Sequence, residues 1–162
     1  MDAIAFGLAY ASALGSGLMA GLFFIFSNTV MRALGRQPAP SGAETMQAVN
    51  GVILNPLFLV VFMGTALLGA LAAALWLVQG GDGAAVATAG AALYLAGVIG
   101  VTFARNVPMN DELDAVDPRS DGIAAAWSAF LGRWTAWNHV RTVASTGALA
   151  CFVLALSLEG TP

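Results

Sequence analysis

The chain has 162 residues, of which 59% are hydrophobic and 9% charged, with a formal net charge of −3. Soluble domains carry about a quarter charged residues, so this composition excludes an ordinary water-soluble globule and implies a membrane protein. Also absent are a P-loop, a dinucleotide fingerprint, a Ser-His-Asp arrangement and a basic-aromatic nucleic-acid patch, while the single cysteine, Cys151, excludes an intramolecular disulfide and a cysteine metal cluster.

Four apolar blocks, at roughly residues 3–30, 56–78, 84–103 and 140–158, each supply the about 20 residues a transmembrane helix needs. The expected fold is all-α, an integral membrane four-helix transmembrane bundle with short cytoplasmic amphipathic helices in the 1–2 and 3–4 loops. Residues 1–162 are expected to form a single membrane domain. The first block follows Asp2 rather than a basic segment and is longer than a signal-peptide core, so it is expected to stay on the mature protein. Gly7, Ala11 and Gly15 recur at four-residue spacing in it, and Gly17 with Gly21 forms a GxxxG pair. Such small residues let helices approach closely in lipid; packing inside the bundle is the preferred use, and homo-oligomerisation stays open.

The loop after the first block, "GRQPAPSGAETMQAVNGVILNP", contains Ser41 and Glu44 in capping-box spacing. They predict the start of an amphipathic helix with Met46, Val49 and Ile53 on one face and Asn50 among them. Asn55-Pro56 reads as the N-cap and first residue of the second span. After Arg105, Pro108 predicts that Val107 leaves the helix, Asn110 caps a short turn, and Asp117-Pro118 breaks it. A new helix is expected from Ser120 or Asp121, running on into the fourth span. At about 100° per residue, Trp127, Phe130, Leu131, Trp134, Trp137, Asn138 and Arg141 share one of its faces, and His139 points elsewhere. Three tryptophans there fit either an interfacial belt or an aromatic wall, and the company of Asn138 and Arg141 favours a pocket.

All six arginines flank the 1–2 and 3–4 loops, whereas the other side carries only Asp2, Asp82 and Glu159. The positive-inside rule therefore puts both loops in the cytoplasm and both termini outside, with a bacterial inner (plasma) membrane as the expected location. Every one of the six asparagines, Asn28, Asn50, Asn55, Asn106, Asn110 and Asn138, lies at or near that same end. Polar side chains beside spans should face protein or a watered cavity, so they outline a polar mouth.

The motifs "FFIFSNTVMRAL", "MQAVNGVILNPLF", "RNVPMNDEL" and "WTAWNHVR" resemble the anthrone oxygenase family, small integral membrane proteins long catalogued as a domain of unknown function. The resemblance covers nearly the whole chain and implies motif positions Asn106, Pro108, Asn110, Trp134, Trp137, Asn138 and Arg141. The family's namesakes oxidise an anthrone to an anthraquinone with molecular oxygen. Such chemistry needs a base, donors to an enolate oxygen and a dry aromatic slot. Asn138, Arg141 and His139 are the catalytic candidates, His139 as the base because it is the sole histidine, although a hydrogen-bonded surface residue is the competing reading. Asn28, Asn50, Asn106, Asn110, Trp134 and Trp137 are the substrate-binding candidates. No metal or other cofactor is expected: one histidine and scattered methionines offer too few ligands. The expected partners are a lipophilic aromatic substrate of anthrone or quinone type, molecular oxygen and the lipid bilayer, with no nucleic acid. The alternative to a cofactor-independent oxygenase or oxidoreductase is a non-enzymatic binding or export module for a hydrophobic small molecule or lipid.

Overall fold

The computed structural model describes residues 3–159; the expectation for Asp2 lies outside them. Five helices account for it: α1 (Ala3–Leu34), α2 (Ala39–Ile53), α3 (Pro56–Gln79), α4 (Ala84–Asp114) and α5 (Ile123–Leu158), with no strand among the described residues. All but α2 are long and apolar enough to cross a membrane. α1 packs on α3 and α5, and α4 packs on the same two helices, which gives a four-membered ring with sequence neighbours side by side. α2 lies against α5 and the end of α4, over one end of the ring.

The long helices run further toward that end than hydropathy alone suggests. At about 1.5 Å per residue, α5 with its 36 residues is about 54 Å long, against a hydrocarbon layer of about 30 Å. α4 also passes straight through Pro108, contrary to the expected break. Its π-helical segment Thr102–Asn106 ends with the Val107 N–H bonded to the Thr102 carbonyl, five residues back. This widened turn accommodates the missing proline donor and the bulk of the ring without ending the helix. Asn110 is therefore inside a helix rather than capping one.

Two other local expectations change. α2 starts at Ala39, with Pro40 in its first turn, and no side chain caps it. Proline's lack of an N–H costs nothing in a first turn, so the helix begins ahead of the Ser41–Glu44 pair and the capping box is not formed. α5 begins at Ile123 rather than Ser120 or Asp121, because Asp117 organises the preceding turn: its carboxylate accepts from the Arg119 N–H at 2.9 Å, and its carbonyl accepts from the Ser120 hydroxyl at 2.7 Å. The Asn55 cap is present, its side-chain oxygen accepting from the Phe58 N–H at 3.0 Å.

The bundle is closed by small residues, though not by the pair that the sequence singles out. A Cβ on Gly15 would run into Thr65 of α3, and one on Gly97 into Ala144 of α5. Gly7 and Gly21 face open space, and Gly17 meets only the Leu149 side chain. The Gly17–Gly21 motif thus contributes little to packing within the chain. Cys151 is partly buried against Gly90. Phe62, Tyr94, Val98 and Phe152 fill the centre, where the Tyr94 hydroxyl donates to the Phe62 carbonyl at 3.1 Å.

Candidate functional site

The face foreseen on α5 is turned inward. Trp127, Phe130, Trp134, Asn138 and Arg141 are buried, Leu131 and Trp137 partly so, and His139 is exposed. The rings stack in sequence, Trp127 on Phe130 at 5.7 Å and Phe130 on Trp134 at 6.1 Å between centroids, with Phe26 of α1 tilted against Trp134 at 6.0 Å. Rings packed on one another and on α1 form an aromatic wall, not a belt splayed toward headgroups.

Polar groups are interleaved with this wall. The Asn138 amide donates to the Phe23 carbonyl at 2.7 Å and to the Ser27 hydroxyl at 2.6 Å, and its oxygen accepts from Arg141 Nη2 at 2.7 Å. Phe23 lies just ahead of the π-helical segment Phe26–Val30. Bonds in a π turn run to the fifth residue back, and Asn138 supplies a donor where the bonding pattern switches. Arg141 Nη1 reaches the Thr102 hydroxyl at 3.2 Å, and the guanidinium lies over Phe23 at 4.5 Å and Trp134 at 5.2 Å. The Trp134 indole N–H donates to Asn110 at 2.8 Å, and the Asn106 amide to the Trp134 carbonyl at 3.4 Å.

Among the residues lining the cavity at this end of the bundle, two buried polar atoms have no partner; Trp127 Nε1, outside that lining, is a third in the wall. Arg141 is 7% exposed and Asn106 1% exposed, yet Arg141 Nε and Asn106 Oδ1 have no hydrogen-bond partner. Among the described residues the one salt bridge joins Arg133 to Glu112, so no carboxylate balances Arg141. A buried charge without a counter-charge is costly, by several kcal/mol where solvent is excluded. Stacking on two rings recovers about 0.5–2 kcal/mol of that.

The cavity that both residues line has a volume of about 90 Å³, room for several water-sized groups. The polar part of its lining includes Thr102, Asn106, Asn138 and Arg141, and Leu22, Phe23, Phe26, Phe58 and Trp134 add apolar and aromatic surface. α2 covers it with Met46, Val49, Asn50 and Ile53. The cover is fastened by polar bonds: Gln47 Nε2 donates to the Leu113 and Val116 carbonyls, each at 2.9 Å, and Asn50 Nδ2 to the Asp114 carboxylate at 3.0 Å.

Of the residues singled out from sequence, Asn50, Asn106, Asn110, Trp134, Asn138 and Arg141 converge on the cavity. Three do not. Asn28 is exposed, the inward position being taken by Ser27. Trp137 lies beneath the Arg105 guanidinium at 4.9 Å, outside the lining. His139 is outside the lining as well. Sequence reasoning missed Ser27, Thr102 and the phenylalanines Phe23, Phe26 and Phe58. Ser27 stands four residues after Phe23, a one-face spacing, but nothing marked that face as inward. Among the described residues no three His, Cys, Asp or Glu side chains are grouped to hold a metal ion, and the site's donors are amides, hydroxyls and one guanidinium.

Residues 58–151 match the family described as Anthrone oxygenase. The matched stretch contains Thr102, Asn106, Asn110, Trp134, Asn138 and Arg141, whereas Phe23, Ser27 and all of α2 precede it. No curated protein and no solved structure matches the chain.

Proposed function

The chain belongs to the anthrone oxygenase family, and on that premise we propose that it oxidises a lipophilic aromatic of anthrone type, with molecular oxygen and no resident cofactor, in the cavity between α1, α4 and α5. One observation carries the reading: a buried, uncompensated guanidinium set in an aromatic slot, with an unpaired amide oxygen beside it. An anionic aromatic ligand matches the charge and the lining; at about 90 Å³ the cavity holds no more than about one ring, so a fused tricycle requires the lining to open further. Removing a proton from an anthrone methylene delocalises the charge onto its carbonyl oxygen, and Arg141, held by Asn138 and Thr102, is placed to stabilise that oxygen. Aromatic surface from Trp134, Phe23 and Phe26 keeps water from the ring.

The described lining contains no imidazole or carboxylate, so in this reading the pocket acts by stabilising the anion and the proton passes to water on the α2 side. The carbanion then reduces oxygen and forms a carbon–oxygen bond. Protonation gives a hydroperoxide, and loss of water leaves the new carbonyl. In sum, one anthrone and one O2 become one anthraquinone and one water.

The test is oxygen consumption by the purified protein in lipid nanodiscs supplied with anthrone, with quinone formation followed by absorbance. Stoichiometric quinone, formed faster than in empty nanodiscs, is the expected result. Saturable binding of anthrone with no acceleration would overturn catalysis and leave a binding or export module.

We assign the arginine-rich end to the cytoplasm, on the asymmetry of Arg32, Arg36, Arg105, Arg119 and Arg133. A reporter active only in the cytoplasm should be silent at the C-terminus and active when inserted near Gly122; the reverse pattern sinks the assignment.

A further inference from the structure

The cavity has two unlike boundaries. Toward the aqueous side α2 is tied to the end of α4 through Gln47 and the Asn50–Asp114 bond. Toward the flank of the bundle there is no such fastening, and the lining at that point is Ile53, Leu54, Phe58 and Val107. Leu54 is 65% exposed, and its chain neighbours are apolar and exposed too: Val52 is 74% exposed and Leu57 75%. Exposed aliphatic side chains at this density are costly in water.

Length places this flank at the hydrocarbon edge. α3 has 24 residues, so it spans about 36 Å, against about 30 Å of hydrocarbon. The excess of about 6 Å is roughly four residues shared between both ends. About two residues at each end therefore fall at or beyond the edge: Phe58 meets the acyl chains, Leu57 lies at their boundary, and Leu54, ahead of the helix, lies on the interfacial side of it.

We propose that the cavity opens sideways into the bilayer, between the α2–α3 turn at Leu54 and Phe58 and the α4 flank at Val107, and that its ligand arrives from the hydrocarbon edge rather than from water. α2 is then a fastened cover, and the Leu54 flank is the doorway. This rests on the reading that the cavity takes a lipophile. It adds a committed partner, the acyl-chain region of the membrane, and explains why the polar fastenings and the apolar rim lie on different sides.

Leu54→Cys and Leu57→Cys, each with Cys151→Ala, would be spin-labelled and reconstituted in palmitoyl-oleoyl phosphatidylcholine vesicles. Collision rates are read with oxygen, which concentrates in hydrocarbon, and with a water-soluble nickel chelate; Glu44→Cys, on the exposed face of α2, is the aqueous reference. Nickel collisions reduced at 54 and lost at 57 relative to 44, with oxygen collisions raised at both, are the expected result. Nickel collisions at 54 equal to those at 44 would overturn the proposal. Should Leu54→Cys fail to assemble, Leu57→Cys carries the same measurement. The collision measurement is made without anthrone and reads only the surroundings of the label, so failure of anthrone turnover with Leu54 shielded from nickel would defeat the functional reading and leave the doorway standing.

Discussion

The two ends of the bundle are built from the same apolar stock to opposite effect. Around the α3–α4 turn, Ala9, Ala72, Trp76, Ala87 and Ala155 are completely buried, and the Glu159 carboxylate accepts from the Gly83 N–H at 2.7 Å, closing the end. One fully buried indole set among alanines and Leu156, with the partly buried Phe6 packed against them, leaves little space. At the other end Phe26 and Phe130 pack on Trp134, Phe23 lies against the Arg141 guanidinium that also faces Trp134, and π-helical turns interrupt α1 and α4. Large rings on widened helices hold the chains apart, and the gap is faced with amides and a guanidinium. One end spends its packing on closure; the other gives some up for a cavity, in keeping with the frequent placement of π turns at functional sites.

The sharpest way to break this contrast is to remove the charge from the open end. Arg141→Met keeps the aliphatic stem of the side chain while deleting the guanidinium, with its stacking on Phe23 and Trp134 and its donors to the proposed oxyanion. Loss of one such preorganised group typically lowers turnover about 100- to 1000-fold, read as oxygen uptake at saturating anthrone. Apparent stability should hold or rise, because an uncompensated buried charge is gone. Unchanged turnover would mean that Arg141 merely packs the mouth.

The α5 half of the site was legible because a regular helix permits no ambiguity of face: Trp127, Phe130, Trp134, Asn138 and Arg141 follow from spacing alone, and all are buried. The α1 and α4 halves were not. Once Phe26–Val30 and Thr102–Asn106 adopt π geometry, a wheel drawn at about 100° per residue loses register, and counting asparagines selected Asn28 where Ser27 is used. The start of α2 was misjudged for a different reason, since a capping-box spacing competes with a first-turn proline and here the proline prevails. Four spans were legible from composition, but their extension past the apolar blocks depends on α2, which covers amphipathic turns that hydropathy alone ends too soon.

A matched pair of glycine substitutions tests whether the ends differ in function as well as in packing. In Gly42→Ala the new Cβ would sit 2.9 Å from both the Leu34 carbonyl oxygen and the Trp127 ring, and in Gly83→Ala 2.6 Å from the Ala155 carbonyl oxygen. Overpacking costs about 1–3 kcal/mol in either place. Gly42→Ala should shift α2 off the cavity and raise KM by about tenfold, the equivalent of about 1.4 kcal/mol. Gly83→Ala should lower thermal stability alone, with KM and kcat of the folded fraction unchanged. Equal effects on KM would erase the functional distinction between the ends.

Gln47→Leu is a milder probe of the same cover. It removes two donors and leaves the Leu113 and Val116 carbonyls to water. With a net worth of about 0.5–1.5 kcal/mol for each hydrogen bond, α2 should loosen without detaching. Amide exchange across residues 43–53 should accelerate, and KM should rise by about fivefold or less, the equivalent of about 1 kcal/mol. Protected amides with an unchanged KM would show that α2 is held by its apolar face through Met46 and Val49.

The smallest effect is expected from His139→Gln, although His139 is the residue that sequence chemistry alone would choose as base. It follows Asn138 directly, but one residue along a helix turns the side chain by about 100°, and while Asn138 is completely buried in the network His139 is exposed. To take a proton from a ring held over Arg141, the imidazole would have to pass around the helix that carries both residues, or relay through a water chain for which its own face offers no buried partner. Glutamine preserves size and hydrogen bonding while removing proton acceptance. The expected result is wild-type turnover across the whole pH range, measured by oxygen uptake, with the slope of rate against pH unaltered. A large loss confined to His139→Gln, with anthrone binding intact, would place the proton acceptor on the outer face of α5 and require the ligand to reach past Asn138, reversing the direction in which this end of the bundle faces its substrate.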